Sequence, residues 1–259
     1  MGEKRHGNGQ EDHKGRRPSV ISAVIPAFNE ESALEQAVLT TAAELERLSP
    51  SGWEIIIVDD GSRDRTFQVA QKLTHDPHIK LLRHQHNRGK GAAVRTGVLQ
   101  TSGDAVLIMD ADQSTHPGTL ESFIPVLAEG SDLVTGDRRS PQASIERPQS
   151  LLRHIMGGVY AAMARMVTGS SLRDFNCGFK LMRGDVARSM LGQCRSDRWV
   201  WDVEVIALAV RQGVAVTAVP VTWRQGERTS VAPFHAALTS FVELAKLWFR
   251  LRNNGTTGR

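Results

Sequence analysis

Short apolar runs separated by stretches of helical periodicity set the pattern of the first half of the chain. Ile21 to Pro26 reads as a strand stopped by proline, and Asn29 or Ser32 is placed to cap a helix running to about Leu48. After the turn Ser49-Pro50-Ser51-Gly52, Trp53 to Val58 is a second apolar strand, followed by a helix from about Thr66 to Leu73. Ile79 to Arg83 is a third, short strand. A glycine-rich loop and a helix through Gln100 then lead to a fourth, Ala105 to Met109, apolar throughout and so buried on both faces. Fully apolar strands alternating with helices predict an α/β fold: a single Rossmann-like domain with a mostly parallel central sheet flanked by helices.

The second half is less regular. Leu133 to Gly136 is strand-like, Leu151 to Val167 helix-like, Gly178 to Met182 a short strand, Val200 to Arg211 a helix and Val214 to Val221 an alternating strand. Pro233 to Asn253 closes the chain as an amphipathic helix. Met1 to Pro18, rich in Gly, Lys, Arg and His without periodicity, predicts a disordered basic tail. The expected organisation is a tail over 1–18, one domain over 19–232, and a helix with a short tail over 233–259.

Chemistry gathers at the strand ends. The fourth strand ends in Asp110-Ala111-Asp112, followed by the turn-forming Ser-Thr-His-Pro. Two carboxylates where a buried strand emerges are costly unless a positive group neutralises them. Their hard oxygens suit Mg²⁺ or Mn²⁺ carrying phosphates; the alternative is an acidic strand end in water. Pro26-Ala27-Phe28-Asn29-Glu30 and Asp59-Asp60-Gly61-Ser62 load two further strand ends. In such sheets ligands sit beyond the carboxyl ends, so this polar equipment falls on one rim. Asp59 can accept hydrogen bonds from a base or ribose, or form an Asx turn capping the next helix. Asn87 to Ala93 opens a helix with two glycines, Arg88 and Lys90: either a diphosphate contact or a plain helix start, and neither a Walker loop nor G-x-G-x-x-G. Arg138, Arg139, Arg147 and Arg153 form either a phosphate grip or a solvated basic loop. Asp202, at a helix start, is a base or a cap.

Composition narrows the field. At 259 residues and 40% hydrophobic, the chain can bury a full core, so one large domain with tails suffices. A formal charge of +4 favours an anionic partner, while scarce aromatics with no interleaved Lys/Arg run argue against nucleic acid. Cys177 and Cys194 are too few for a disulfide framework and lack metal-site spacing, which points to a reducing, cytoplasmic setting. No apolar stretch approaches the roughly 20 residues of a spanning helix, and the polar N-terminus is not a secretory signal. A soluble chain, at most resting on a membrane, is expected.

In this order the motifs resemble glycosyltransferase family 2, with the GT-A fold. Val24 to Glu30, Ile57 to Ser62 and Asp110-Ala111-Asp112 carry the family's N-terminal hallmarks. Asn87 to Ala92, Asp174 to Lys180, Trp201 to Glu204 and Pro220 to Trp223 resemble its dolichyl-phosphate (polyprenyl-phosphate) β-glucosyltransferase branch. The likeness spans about Val20 to Arg252. It implies an inverting transfer of a sugar, glucose from UDP-glucose, to a polyprenyl phosphate. Pro26, Phe28, Glu30 and Asp59 would line the uridine pocket, Lys90 would reach the diphosphate, and Asp110 would face ribose and diphosphate. Asp110 and Asp112 would hold Mg²⁺ or Mn²⁺, which neutralises the departing UDP, so Asp112 joins Asp202 as a catalytic candidate. Asp202 occupies the family's base position, although a phosphate acceptor is already anionic. Arg138, Arg139, Arg147, Arg153, Arg228 and Ser230 would hold the acceptor phosphate. A hydroxyl acceptor, or nucleotide-sugar binding without catalysis, is the alternative.

Two departures stand out. Where mannosyl relatives carry Asp-x-Asp-x-Gln, Ser114 stands in the Gln place and Gln113 comes one residue early. The N-terminal tail also lacks the membrane anchor usual in the glucosyl branch. In the closing helix, Phe234, Leu238, Phe241, Ala245, Trp248 and Phe249 recur at helical spacing beside Lys246, Arg250 and Arg252. That helix reads either as an interfacial one, giving peripheral contact at the inner face of the membrane, or as one docked on the protein's own core.

Overall fold

The computed structural model describes residues 16–49, 51–145, 151–224 and 233–253, with the side chains of 151–155 and 233–238 outside the description. The expected disordered tail therefore lies almost wholly outside the described residues. The apolar runs do form strands: β1 (Ile21–Ala27), β2 (Trp53–Asp59), β3 (Ile79–Arg83) and β4 (Ala105–Ile108) pair in parallel. With a side-chain period of two, they feed two cores at once. Val24, Ile56, Val58, Val106 and Ile108 face one side; Ala23, Ile25, Ile55, Ile57 and Leu107 face the other.

Helices cover both faces. On the first lie α3 (Lys90–Val98), α5 (Leu151–Thr168), α6 (Gly184–Gln193), α7 (Trp201–Arg211) and α8 (Pro233–Asn253). On the second lie α1 (Leu34–Leu48), α2 (Thr66–Leu73) and α4 (Leu120–Ala128). The later strands β5 (Leu133–Asp137), β7 (Lys180–Arg183) and β8 (Val216–Pro220) complete a seven-stranded sheet in the order β3-β2-β1-β4-β7-β5-β8. Two short strands, β6 (Ser144–Ile145) and β9 (Thr222–Trp223), pair separately.

One strand decides where the site can be. β7 runs antiparallel to both β4 and β5, with Lys180 opposite Ile108 and Thr135. Its first residue therefore lies at the rim where its parallel neighbours end. The loop that precedes it, Asp174 to Phe179, is thereby delivered to the same rim as the exits of β1, β2 and β4.

Several elements differ in detail from the pattern. β1 continues one residue past Pro26. The Met109 N–H donates to Val24 O and the Asp60 N–H to Ala27 O, so even-numbered residues of β1 face β4, which has left the sheet by Pro26. The missing proline donor thus costs no ladder bond. Neither Asn29 nor Ser32 caps α1, whose N-cap is Ala33. Asn29 instead adopts φ 57°, accepts the Arg63 N–H on its Oδ1 (2.9 Å) and donates its own N–H to Ser62 Oγ (3.0 Å), joining the exits of β1 and β2. The pattern does not predict α4, because Pro125 interrupts it, or α6, whose buried positions are few and small apart from Met190 and Leu191.

Candidate active site

Asp59 and Asp60, at the exit of β2, do different work. Asp59 is buried; its Oδ1 accepts the Ser62 N–H (3.0 Å) without capping α2, whose N-cap is Arg65, and its Oδ2 lies 3.1 Å from Arg83 Nε. Asp60 organises the glycine-rich loop. Its carboxylate accepts the N–H groups of Arg88 (2.9 Å) and Gly89 (2.8 Å) and the Asn87 side-chain amide (2.9 Å), and it pairs with His84 Nδ1 (2.6 Å). Gly61, next after Asp60, has φ +72°, and a Cβ there would fall 2.5 Å from the His86 carbonyl carbon, so only glycine fits. These amides are spent on Asp60, and the Ala92 N–H on Asp197 O (3.0 Å). The Arg88, Gly89 and Ala92 amides are thus not available to a diphosphate, and the loop brings the Lys90 side chain to the rim.

Around Lys90, charges alternate. Lys90 Nζ lies 2.5 Å from Asp110 Oδ1. Arg138 grips Asp174 through Nε (2.6 Å) and Nη2 (2.8 Å), and Lys180 contacts the Asp202 carboxylate. Burial opposes ionisation of Asp110, yet Lys90 holds its carboxyl below the ordinary range. Burial likewise opposes the charge on Arg138, and Asp174 more than restores it, holding the guanidinium firmly protonated. Asp202 goes the other way: burial pushes its carboxyl up, with Lys180 and Lys90 pulling back. Gly178 leaves room for this cluster, since a Cβ there would lie 2.1 Å from Asp110 Oδ2.

Asp112 and Glu30 sit on the open side. Asp112 is exposed and, among the described residues, accepts from Ser114 alone, through its N–H (2.9 Å) and Oγ (2.7 Å). The residue in the expected Gln place thus orients Asp112 through a short turn. Glu30 is pushed up to about 7, first by burial and then by the charges of Asp112 and Asp110. Crowded carboxylates of this kind fit a hard divalent cation. Among the described residues no three His, Cys, Asp or Glu side chains form an ion cage, so the donor set suits a cation shared with a ligand's phosphates.

The four arginines grouped by sequence part company. Arg138 lines a small pocket with Asp110, Ser114, Thr115, Gly178, Phe179 and Trp223. Arg139 is exposed and does not line it; its guanidinium packs over Gly157, where a Cβ would come within 2.4 Å of Nη2. Arg147, Arg228 and Ser230, and the Arg153 side chain, lie outside the described residues. Pro26 and Phe28 are half-buried at the exit of β1, beside Asp59. Sequence reasoning assigned no role to Asp60, Asp174, Lys180 or Trp199, which is 41% exposed with Lys90 Nζ 5.5 Å from its ring. The signal was there for Asp174 and Lys180, which bracket a motif already singled out.

The fold and site define an α/β protein whose strand exits gather carboxylates and flanking cations on one rim. Residues 22–191 match the profile of glycosyl transferase family 2, and the chain belongs to that family. A dolichyl-phosphate β-glucosyltransferase of Trichomonas vaginalis is 32% identical over 224 residues, covering 82% of this chain and 68% of that protein. The corresponding enzyme of Dictyostelium discoideum is 29% identical over 242 residues, covering 89% and 74%. Glycosyltransferase AglD of Haloferax volcanii is 29% identical over 234 residues, 89% of this chain but 37% of that longer protein. The fold is shared with glucosyl-3-phosphoglycerate synthase of Mycobacterium tuberculosis, solved with Mn²⁺, UDP-glucose and phosphoglyceric acid: TM-score 0.68 and 20% identity, covering 95% of this chain and 85% of that one.

Proposed function

We propose that this chain is an inverting transferase that moves glucose from UDP-glucose to a polyprenyl phosphate at the cytoplasmic face of a membrane. The observation that carries the reading is the placement of Arg138. Its guanidinium is held by Asp174, 5.6 Å from the Trp223 ring, in the pocket it shares with Asp110 and Ser114. A fixed cation beside the aspartates suits an acceptor that is itself a phosphate. The names of the dolichyl-phosphate relatives support the same acceptor and sugar, and the UDP-glucose complex of the synthase sharing the fold supports the donor.

Pro26, Phe28, Glu30 and Asp59 form the nucleoside side, and Lys90 keeps Asp110 ionised where the diphosphate lies. Asp112 would hold Mg²⁺ or Mn²⁺ together with the donor's phosphates; when bound, the cation offsets the charge of the departing UDP. Asp202 orients the acceptor, which needs no strong base because it is already anionic. A hydroxyl acceptor would need Asp202 free to take a proton, and the Lys180 contact weighs against that.

The membrane reading attaches to the outward face of α8. Leu244, Leu247 and Leu251 are buried in the core, whereas Val242 and Phe249 are exposed with Ala245, Lys246 and Arg252. Apolar side chains flanked by cations suit the headgroup region of an anionic bilayer. Among the described residues no helix is long and apolar enough to cross a membrane.

Arg138→Lys tests the acceptor assignment, because lysine cannot reproduce a bidentate grip. The KM for a short-chain polyprenyl phosphate should rise about tenfold or more, with the Kd for UDP-glucose within about twofold. An unchanged acceptor KM refutes the assignment.

A further inference from the structure

We propose that Lys180 is a positioning residue for the transfer reaction, fixing Asp202 and the loop that carries Asp174 and Gly178 in one arrangement. The inference rests on the transferase reading above.

Lys180 is fully buried, an unusual place for an ammonium group. Such a charge is tolerated only when it is paired and hydrogen-bonded. Lys180 meets that condition entirely at the rim: Nζ donates to the Asp202 carboxylate, to Cys177 O (2.5 Å) and to Phe175 O (3.4 Å). An ammonium has three N–H donors, so none is left over. Asp202 comes from α7 and the two carbonyls from the loop before β7, elements joined here by one amine.

What that loop carries makes the join consequential. Asp174, next to Phe175, holds Arg138 through two hydrogen bonds. Gly178, next to Cys177, forms the wall against Asp110. The base of Lys180 is itself fixed, because it opens β7 between Ile108 and Thr135. Asp202, the Arg138 grip and the Asp110 wall therefore share one anchor. A plain core-filling role does not account for it, because an apolar side chain would fill the space without burying a charge.

Two substitutions separate positioning from packing. Lys180→Met removes charge and donors; Lys180→Gln keeps an amide to donate to the carbonyls but loses the charge opposite Asp202. Both should lower kcat by about tenfold or more while the Kd for UDP-glucose, which also reports folding, stays within about twofold. If Lys180 acts through Asp202, the double variant Lys180→Gln/Asp202→Asn should be no more than about threefold slower than Asp202→Asn alone. Losses that multiply, or a Gln variant with wild-type kcat, overturn the proposal; should the Met variant lose UDP-glucose binding, the Gln and double variants decide. Transfer by the wild-type chain tests the preceding reading, whereas the ratios of variant to wild type test this one.

Discussion

Glu30 offers a pH dependence that can be measured without turnover. Its carboxyl is pushed from 4.5 to about 7 by burial and by Asp112 and Asp110, so the folded chain binds this proton more tightly than the unfolded one. The stabilisation is complete below the unfolded value and is lost as pH rises through about 7. Without added cation, Tm should fall between about pH 5 and 7, and Glu30→Gln should remove that slope. The effect is on the order of 1 kcal/mol once partial exposure is allowed for. Added Mn²⁺ should flatten it in the wild type. A Glu30→Gln slope equal to the wild type's would show that the carboxylates are not crowded. Asp112→Ala should not lower Tm, because the side chain is exposed and its charge only adds to the crowding around Glu30, but it should abolish the tightening of UDP binding by Mn²⁺. Unchanged UDP affinity in a Mn²⁺ titration would remove Asp112 from the cation site.

At the scale of elements, α8 carries two roles on two faces. Leu247→Ala should destabilise by about 2–5 kcal/mol in urea unfolding, as expected for a buried leucine. Val242→Ser with Phe249→Ser should leave stability within about 0.5 kcal/mol and reduce binding to anionic liposomes; undiminished binding would return α8 to a purely structural role. Truncation after Ala232 is a poorer test. It would strip Arg250 from Glu204 Oε1 (2.7 Å), whose other oxygen holds the N–H groups of Arg195 and Ser196. That segment packs against Gly89 and Gly91, beside Lys90, so the truncation would also disturb the rim.

The stripe on α8 shows where periodicity runs out. Phe241, Ala245 and Trp248 form an apolar line in the sequence, but the core takes Leu244, Leu247 and Leu251. A helix apolar on two sides does not announce which side has a partner. The first four strands were legible as apolar runs, and three of them, β1, β2 and β4, end in their own polar clusters. The placement of Asp174 and Lys180 was not legible, although their motif was: they reach the rim only because β7 is reversed, a long-range pairing that no local pattern encodes. Asp60 was overlooked for a related reason. Its partners from His84 to Gly89 lie more than twenty residues away, and adjacent Asp59 and Asp60 differ only in what folds onto them.

Across the whole molecule, the sheet divides the labour. Strands β1, β2 and β4, paired in parallel, bring their carboxylates to one rim. The reversed β7, with β5 beside it, brings Arg138, Asp174 and Lys180 to the same rim from the second half of the chain. Lys90 and Asp110 stand at the seam. On the proposed reading, such an arrangement would set two phosphate-bearing substrates against each other, with cations on both sides. The direct measurement is transfer from UDP-glucose, with Mg²⁺ or Mn²⁺, to a polyprenyl phosphate and to the matching polyprenol in parallel. β-Linked glucosyl polyprenyl phosphate is expected from the first and no product from the second. Transfer to the alcohol, or UDP-glucose bound without any transfer to the lipid phosphate, would contradict it.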